Sequence, residues 1–265
     1  MSRAVARSAA LAAAIGVLAL AGCSGQASDG QATGQDTGTA AAEQTLTVYA
    51  AASLTATFTE IADDFEADHP GVTVQLQFAG SADLVTQITE GAPADVFASA
   101  DEANMAKLTD VGLAADPVDF ATNVLEIAVP PGNPAGVGSL QDLADDSVTT
   151  VICAPEVPCG AATVMVEEAA GITIPAVSEE SSVTDVLGKV TSGEADAGLV
   201  YVTDVAGAGD DVEGVEFDES ASAVNTYPIA VLSDSGQAEL AAEFVAAVTG
   251  SAGQAVLVAA GFGTP

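Results

Sequence analysis

Hydrophobic residues follow two different periods along the chain from residue 46 onward. Residues 46–50 alternate as a strand does, and the apolar residues of 54–65 fall on one helical face. The pattern repeats with a strand at 72–78, a helix at 81–91 and a strand at 95–99. Strands that alternate with helices at this spacing predict an α/β fold with a doubly wound, mainly parallel sheet.

A second set of strands and helices follows residue 123 and predicts a second lobe. Its elements are strands at 124–129, 149–153 and 197–202 and helices at 160–170 and 183–190. A return strand at 226–232 and helices at 238–248 and 253–260 end the chain. We therefore expect lobe 1 from residues 46–123 with 226–265, and lobe 2 from residues 124–225. The breaker-rich stretch 130–134 is a place where the chain could cross between them.

The N-terminus predicts export and lipid anchoring. Arg3 and Arg7 precede an apolar run that ends in Leu-Ala-Gly-Cys23, which is typical of a lipoprotein signal peptide at residues 1–22. The run is too short for a membrane span, which needs about 20 apolar residues. We expect Cys23 to be lipidated and residues 23–45, rich in small and polar residues, to form a flexible tether. The protein would then lie on the outer face of the cytoplasmic membrane or in the periplasm.

The net charge of the chain limits the classes of partner that it can bind. There are 38 acidic and 4 basic residues, a formal net charge of −34, and only Lys107 and Lys189 are basic after the predicted signal peptide. Nucleic acid and anionic lipid surfaces would be repelled, so neither is expected as a partner. Strong acidity also favours solubility, and we expect a monomer.

The chain carries few groups suited to catalysis. Cys153 and Cys159 enclose a short loop without Lys, Arg or His, which favours a structural disulfide in an exported protein. A thiol-disulfide protein that uses this pair is the alternative. His69 lies in an Asp-His-Pro-Gly turn, and no base stands beside a nucleophile and no zinc ligand set occurs. We expect a protein that is not an enzyme, with no cofactor.

Four predicted helices begin with small or polar residues directly after a strand or loop. These starts are Ser53, Ser81, Cys159-Gly160 and Ser182-Val183. The first turn of a helix exposes unpaired N–H groups, and in doubly wound sheets such turns lie at the carboxyl ends of the strands, where ligands bind. Two starts come from each lobe, so a closed cleft would direct four donor clusters at one anion. Alternatively, each serine is an ordinary N-cap of its own helix.

Six stretches, in order, resemble the periplasmic molybdate-binding proteins of ABC transporters. They are Tyr49-Ala-Ala-Ala-Ser53-Leu54, Phe78-Ala-Gly-Ser81, Gly91-Ala-Pro-Ala-Asp95-Val-Phe-Ala-Ser-Ala-Asp101, Pro155-Glu-Val-Pro158-Cys-Gly160, Val200-Tyr201-Val-Thr-Asp204 and Tyr227-Pro-Ile-Ala-Val231. The resemblance covers the chain from Leu46 to Phe262. It implies a two-lobed periplasmic-binding-protein fold of type II, with the ligand in the cleft between the lobes.

The resemblance also implies the ligand and its donors. Ser53 and Ser81 would donate hydroxyl and backbone N–H groups, Cys159 and Val183 backbone N–H groups, and Tyr201 its phenol. Better-known members have alanine at the position of Cys159, and a backbone contact should survive that change. The implied function is capture of molybdate, and also tungstate, for delivery to an ABC transporter permease, with the metal entering as the oxyanion and not as a free cation. A protein of the same fold for another solute, such as sulfate, an iron complex or an organic acid, is the alternative.

A site made only of donors would itself select among oxyanions. Phosphate near neutral pH carries a proton that would face another donor, and an unpaired buried polar group costs about 1–3 kcal/mol. Molybdate, tungstate and sulfate carry no proton there. Cavity size would then have to separate sulfate from the larger pair.

Overall fold

A computed structural model of the chain describes residues 43–265, in which strands and helices alternate. In chain order the elements are β1 (Gln44–Ala51), α1 (Thr55–Asp68), β2 (Val72–Ala79), α2 (Ser81–Thr89), β3 (Val96–Ala98), α3 (Glu102–Asp110), β4 (Val118–Asn123), β5 (Leu125–Val129), β6 (Thr150–Cys153), α4 (Pro158–Ala170), β7 (Ser178–Glu180), α5 (Val183–Thr191), β8 (Ala197–Tyr201), α6 (Val202–Ala208), β9 (Glu213–Val215), β10 (Asn225–Val231), α7 (Ala238–Thr249) and α8 (Ser251–Ala259). A short 3-10 helix, Ala52–Leu54, leads from β1 into α1. The predicted α/β class is confirmed. The predicted signal peptide, the predicted lipidation site Cys23 and most of the predicted tether lie outside the described residues.

The strands form two sheets with the same arrangement. The first has the order β2-β1-β3-β10-β4 and the second β7-β6-β8-β5-β9. In the first sheet β1 runs parallel to β2 and β3, whereas β10 runs antiparallel to β3 and β4. In the second, β6 runs parallel to β7 and β8, and β5 is antiparallel to β8 and β9. Four strands of each sheet therefore share one direction, as expected for two mainly parallel lobes, which we call lobe 1 and lobe 2 after the first and second sheet.

The chain passes between the two sheets twice. It leaves the first sheet after Asn123 and enters the second at Leu125, and it returns between Val215 and Asn225. The prediction of a crossing at residues 130–134 is wrong. That stretch follows β5 and forms a turn in which the N–H of Asn133 donates to the carbonyl of Pro130. Proline and glycine are typical of turns, whereas a segment that crosses between two sheets needs neither residue.

Both faces of the first sheet are covered by helices. Val48 and Ala50 pack on one face with α1, α7 and α8, whereas Tyr49 and Phe97 pack on the other with α2 and α3. This division follows from the two-residue period of a strand. On the first face the ring of Phe58 lies 5.8 Å from that of Phe120 and 6.1 Å from that of Phe244. Such aromatic pairs each contribute about 0.5–1.5 kcal/mol beyond the area they bury.

Some element boundaries differ from the predictions. The first strand begins at Gln44, inside the predicted tether. The strand predicted at 197–202 ends at Tyr201, because the carboxylate of Asp204 accepts the N–H of Tyr201 at 2.9 Å and starts α6. The elements α3, β4, β7, α6 and β9 were not predicted. Within residues 43–265 no single helix has the length and apolarity to cross a membrane. The pair α7 and α8, whose axes are bent by 52° at the break between them, meets the length and composition criteria only when the two are taken together.

Candidate functional site

One cavity between the lobes brings together all five residues predicted to bind an oxyanion. Its walls are Ala51, Ala52, Ser53, Gly80, Ser81 and Ala100 from lobe 1 and Val157, Pro158, Cys159, Ser182, Val183 and Tyr201 from lobe 2. The cavity therefore lies at the carboxyl ends of strands from both sheets, as expected for doubly wound folds. Its volume is about 10 Å³, close to the room that one water-sized particle needs. Sites for drug-sized molecules hold roughly 300–1,000 Å³, so this cavity suits a small ion.

In lobe 1, α2 directs its first turn at the cavity without a side-chain cap. Its N-cap residue is Gly80, which has no side chain to accept the free N–H groups. Ser81 is only 1% exposed. Its hydroxyl oxygen accepts a hydrogen bond from the N–H of Ala100 at 3.1 Å. Within residues 43–265 the Ser81 hydroxyl donates to no acceptor, so its proton is available to a ligand.

Ser53 is held by a chain of hydroxyl and amide groups. Its Oγ lies 3.1 Å from the hydroxyl of Tyr227, and the Asn123 side-chain amide donates to that hydroxyl at 3.5 Å. The amide orientation of Asn123 is fixed because its oxygen accepts the N–H of Val124 at 3.0 Å. Since Tyr227 accepts from Asn123, its own proton can point to Ser53, and the proton of Ser53 is then free for a ligand.

In lobe 2, α4 begins at the cavity with Pro158 and also lacks a side-chain cap. The first N–H that bonds within the helix belongs to Ala161, which leaves the N–H of Cys159 unpaired by the helix. A disulfide joins Cys153 at the end of β6 to Cys159 with an S–S distance of 2.05 Å, as predicted. Both cysteines are at most 3% exposed. The bridge ties the start of α4 to the second sheet.

The start of α5 differs, because Ser182 caps its own helix. Its Oγ accepts the N–H of Asp185 at 3.2 Å and donates to the carboxylate of Asp185 at 2.7 Å. The N-cap alternative is therefore correct for Ser182. It is wrong for Ser53 and Ser81, neither of which caps a helix. At this start the donor left for a ligand is the N–H of Val183.

Tyr201 supplies the most direct sign of a ligand. Its side chain is 1% exposed and lines the cavity, yet among the described residues its hydroxyl is the one buried side-chain oxygen or nitrogen without a hydrogen-bond partner. Nearly all buried polar groups in proteins have a partner. Burial, followed by the influence of Tyr227 and Asp204, raises the pKa of Tyr201 well above its usual value, so the phenol stays a donor.

The described residues that line the cavity include no positively charged side chain. Of the described residues that line it, none is Lys, Arg or His. Lys107 donates to Asn104, and Lys189 pairs with Glu180 and Glu194. Asp204, next to Tyr201 in the fold, is 8% exposed, and burial raises its pKa to about 7. An anion in this cavity would meet neutral donors only.

A free metal cation fits the cavity poorly. Metal ions bind lone pairs of carboxylate, imidazole or thiolate groups. Among residues 43–265 no group of three such side chains lies close enough to hold an ion. The cavity presents hydroxyl and N–H hydrogens instead, which is the donor set for an oxyanion. His69, predicted to be a turn residue, ends α1, stacks on Phe65 and does not line the cavity.

Four residues around the site were not predicted to act in it. Gly80 lines the cavity, Tyr227 and Asn123 orient Ser53, and Asp204 bonds the backbone of Tyr201. Gly80, Asp204 and Tyr227 do stand inside the stretches that resemble the molybdate-binding family. The roles of Gly80 and Tyr227 depend on contacts with residues far away in the sequence, for which the local pattern holds no signal, whereas Asp204 bonds a residue only three positions before it.

Comparison with known proteins places these features in a family context. The family described as bacterial extracellular solute-binding protein matches residues 46–263. The molybdate-binding protein ModA of Mycobacterium tuberculosis is 50% identical over 223 residues, which cover 84% of this chain and 85% of that protein. The periplasmic molybdate-binding protein of Azotobacter vinelandii aligns with a TM-score of 0.72 at 24% identity, over 83% of this chain and 99% of that chain.

A sulfate-binding protein has the same fold. The structure of SubI from Mycobacterium tuberculosis aligns with a TM-score of 0.73 at 18% identity, over 83% of this chain and 86% of that chain. At such identities the two structural matches show the fold alone. The choice between anions therefore has to be argued from the cavity and from the closer sequence relatives.

Proposed function

This chain belongs to the bacterial extracellular solute-binding proteins, and from that premise we propose that it binds molybdate, and also tungstate, outside the cytoplasmic membrane and delivers it to an ABC importer. The observation that carries the proposal is the buried hydroxyl of Tyr201, which has no partner within residues 43–265 and lines a cavity of neutral donors. The 50% identity to a molybdate-binding protein of Mycobacterium tuberculosis supports molybdate over other oxyanions.

The donors suit a tetrahedral dianion. Ser53 and Ser81 offer hydroxyl protons, Cys159 and Val183 offer backbone N–H groups, and Tyr201 offers its phenol. A hydrogen bond to a charged acceptor contributes about 1.5–3 kcal/mol, more than a neutral pair. The donors at helix starts are already oriented, so little ordering opposes binding.

Binding and release follow from the two-lobed architecture. The donors come from both lobes, so only a closed cleft presents all of them to one anion. Opening the cleft separates the two groups of donors and exposes the anion to water, which competes for every hydrogen bond. A transporter that opens the cleft would thereby release the ligand. Lipidation of Cys23 would keep the protein at the membrane near its permease.

Calorimetric titration of the exported protein tests the function. We expect molybdate and tungstate to bind with one site per chain, sulfate to bind more weakly, and phosphate to give no heat at neutral pH. Tighter binding of sulfate than of molybdate would assign the protein to the sulfate alternative. Absence of heat with all four anions would contradict an oxyanion-binding function.

The anchor needs a separate measurement. We expect the native protein to partition into detergent and its mature N-terminal cysteine to carry acyl chains by mass spectrometry. The Cys23→Ala variant should lose both properties and still bind molybdate. A wild-type protein without acyl chains would refute the anchor alone.

A further inference from the structure

Gly80 lies where the two lobes touch, and its backbone does not require glycine. Its φ of −58° and ψ of 139° lie in a region open to every residue. A Cβ atom added at Gly80 would lie 2.0 Å from the carbonyl oxygen of Ser181 and 3.2 Å from its carbonyl carbon. Non-bonded heavy atoms do not approach this closely, so the absent side chain allows the contact with Ser181.

The contact joins opposite walls of the cavity. Gly80 connects β2 to α2 in lobe 1, and Ser181 lies between β7 and α5 in lobe 2. Gly80 directly precedes Ser81, and Ser181 stands two residues before Val183. The approach of these two backbones therefore sets the distance between the donors at the start of α2 and those at the start of α5.

We propose that Gly80 is a positioning residue that permits full closure of the cleft, so that donors from α2 and α5 reach the same anion. This inference rests on the proposed oxyanion binding and adds to it the residue that controls closure. Any side chain at position 80 would meet the Ser181 carbonyl before the cleft closes. The donors of lobe 1 and lobe 2 would then remain too far apart to share one ion.

Two other glycines separate this role from a general effect of glycine replacement. At Gly160 a Cβ would lie 1.9 Å from the carbonyl oxygen of Ala154, but both residues belong to lobe 2, so the clash strains the folded lobe itself. At Gly188, within α5, a Cβ would meet nothing within 4 Å. The clash at Gly80 differs from that at Gly160 because opening the cleft relieves it without unfolding either lobe.

The test compares Gly80→Ala with Gly188→Ala in the full mature protein. We expect Gly80→Ala to weaken molybdate binding about tenfold or more, since at least one charge-assisted hydrogen bond is lost, and to release the ion faster in stopped-flow measurements. Its melting temperature without ligand should stay close to that of the wild type. In small-angle scattering, molybdate should reduce the radius of gyration of the wild type and of Gly188→Ala more than that of Gly80→Ala.

Each outcome bears on one proposal. Wild-type affinity and release rate in Gly80→Ala would overturn the role of Gly80 and leave molybdate binding intact. A large fall in the ligand-free melting temperature of Gly80→Ala would also overturn it, because the clash would then strain the fold and not the closure. Failure of the wild type to bind molybdate would instead overturn the proposed function.

Discussion

Ser81 and Ser182 stand at the starts of helices on opposite sides of the same cavity, yet their hydroxyls have different partners. Ser182 is the N-cap of α5, and its hydroxyl both accepts from and donates to Asp185. Ser81 is one position further on, the first residue of α2 after the N-cap Gly80, and its hydroxyl accepts from Ala100 outside the helix. A shift of one residue relative to the helix start thus decides whether a serine serves its own helix or a ligand.

The two lobes also differ in the kind of donor that each presents to the cavity. Lobe 1 offers the free hydroxyls of Ser53 and Ser81, whereas lobe 2 offers backbone N–H groups and the phenol of Tyr201. Backbone donors survive side-chain replacement, and hydroxyl donors do not. Substitutions in lobe 1 should therefore lower affinity most, and substitutions at the helix starts of lobe 2 should mainly lower stability.

Replacement of Ser81 and of Ser182 by alanine, one at a time, is the strongest test of this difference. Ser81→Ala removes a donor and leaves the N–H of Ala100 without its acceptor, so we expect molybdate binding to lose about 1.5–3 kcal/mol. Ser182→Ala removes an N-cap and should lower the free energy of unfolding by about 1 kcal/mol with little change in affinity. Calorimetry and urea unfolding measure the two quantities. Equal losses of affinity in both variants would contradict the comparison.

Tyr201 and Tyr227 form a second matched pair, with an expected effect on affinity of about tenfold. Tyr201→Phe removes a donor that has no partner among residues 43–265, so affinity should fall by that factor without loss of stability. Tyr227→Phe breaks bonds to Ser53 and Asn123 and should lower the free energy of unfolding by about 1 kcal/mol. Thermal melts that show Tyr201→Phe to be the less stable variant would argue against an unpartnered hydroxyl.

Asp204 should make binding depend on pH, with a several-fold effect. Burial raises the pKa of Asp204 to about 7, and a nearby bound dianion would raise it further. Binding then takes up a proton, and affinity should fall as pH rises through about 7. Without ligand, folded Asp204 keeps its proton up to that pH while the unfolded residue loses it near pH 4, so its contribution to stability falls as pH rises between these values.

The Asp204→Asn variant provides the control for this pH dependence. Asparagine keeps an oxygen that can accept the N–H of Tyr201 but does not titrate in this range. Titrations from pH 6 to 8 should give a flat affinity for the variant and a falling one for the wild type. The same slope in both proteins would assign the pH dependence to another group.

The disulfide should matter little for affinity. In Cys153→Ala with Cys159→Ala the N–H of residue 159 is retained, so molybdate binding should change less than in Ser81→Ala or Tyr201→Phe. Loss of a bridge across so short a loop should lower the free energy of unfolding by about 2 kcal/mol. Guanidinium unfolding of the double variant beside the wild type measures this difference. A loss of affinity as large as that of Ser81→Ala would show that the bridge holds the donor in place.

The sequence alone predicts most of the fold because its signals are local. The period of the apolar residues places α1 and β2, since Phe58, Ile61 and Phe65 must share one helical face to be buried. Short elements such as β7 and β9 have three residues each, too few to show a period. Strand β8 ends early because Asp204 bonds to the N–H of Tyr201, whereas apolar alternation alone favoured one more residue.

The residues that line the cavity could be predicted from the resemblance, but the hydrogen bonds and contacts between them could not. Ser53, Ser81, Cys159, Val183 and Tyr201 do line one cavity. That Ser53 bonds to Tyr227, 174 residues away, depends on a return of the chain that local patterns do not encode. The contact between Gly80 and Ser181 likewise exists only when the two lobes meet.

Asn123 stands where the chain leaves lobe 1, and its side-chain amide reaches into both lobes. It donates to the hydroxyl of Thr203 in α6 at 2.8 Å and to that of Tyr227, which in turn bonds to Ser53. A transporter that moved the lobes apart at this crossing of the chain would therefore also displace Tyr227 and, through it, Ser53, a proposed donor to the ligand. Weakening of the hydrogen bonds to the ion and separation of the lobes would then be one step of the transport cycle. The importer would not need to contact the ion in order to release it.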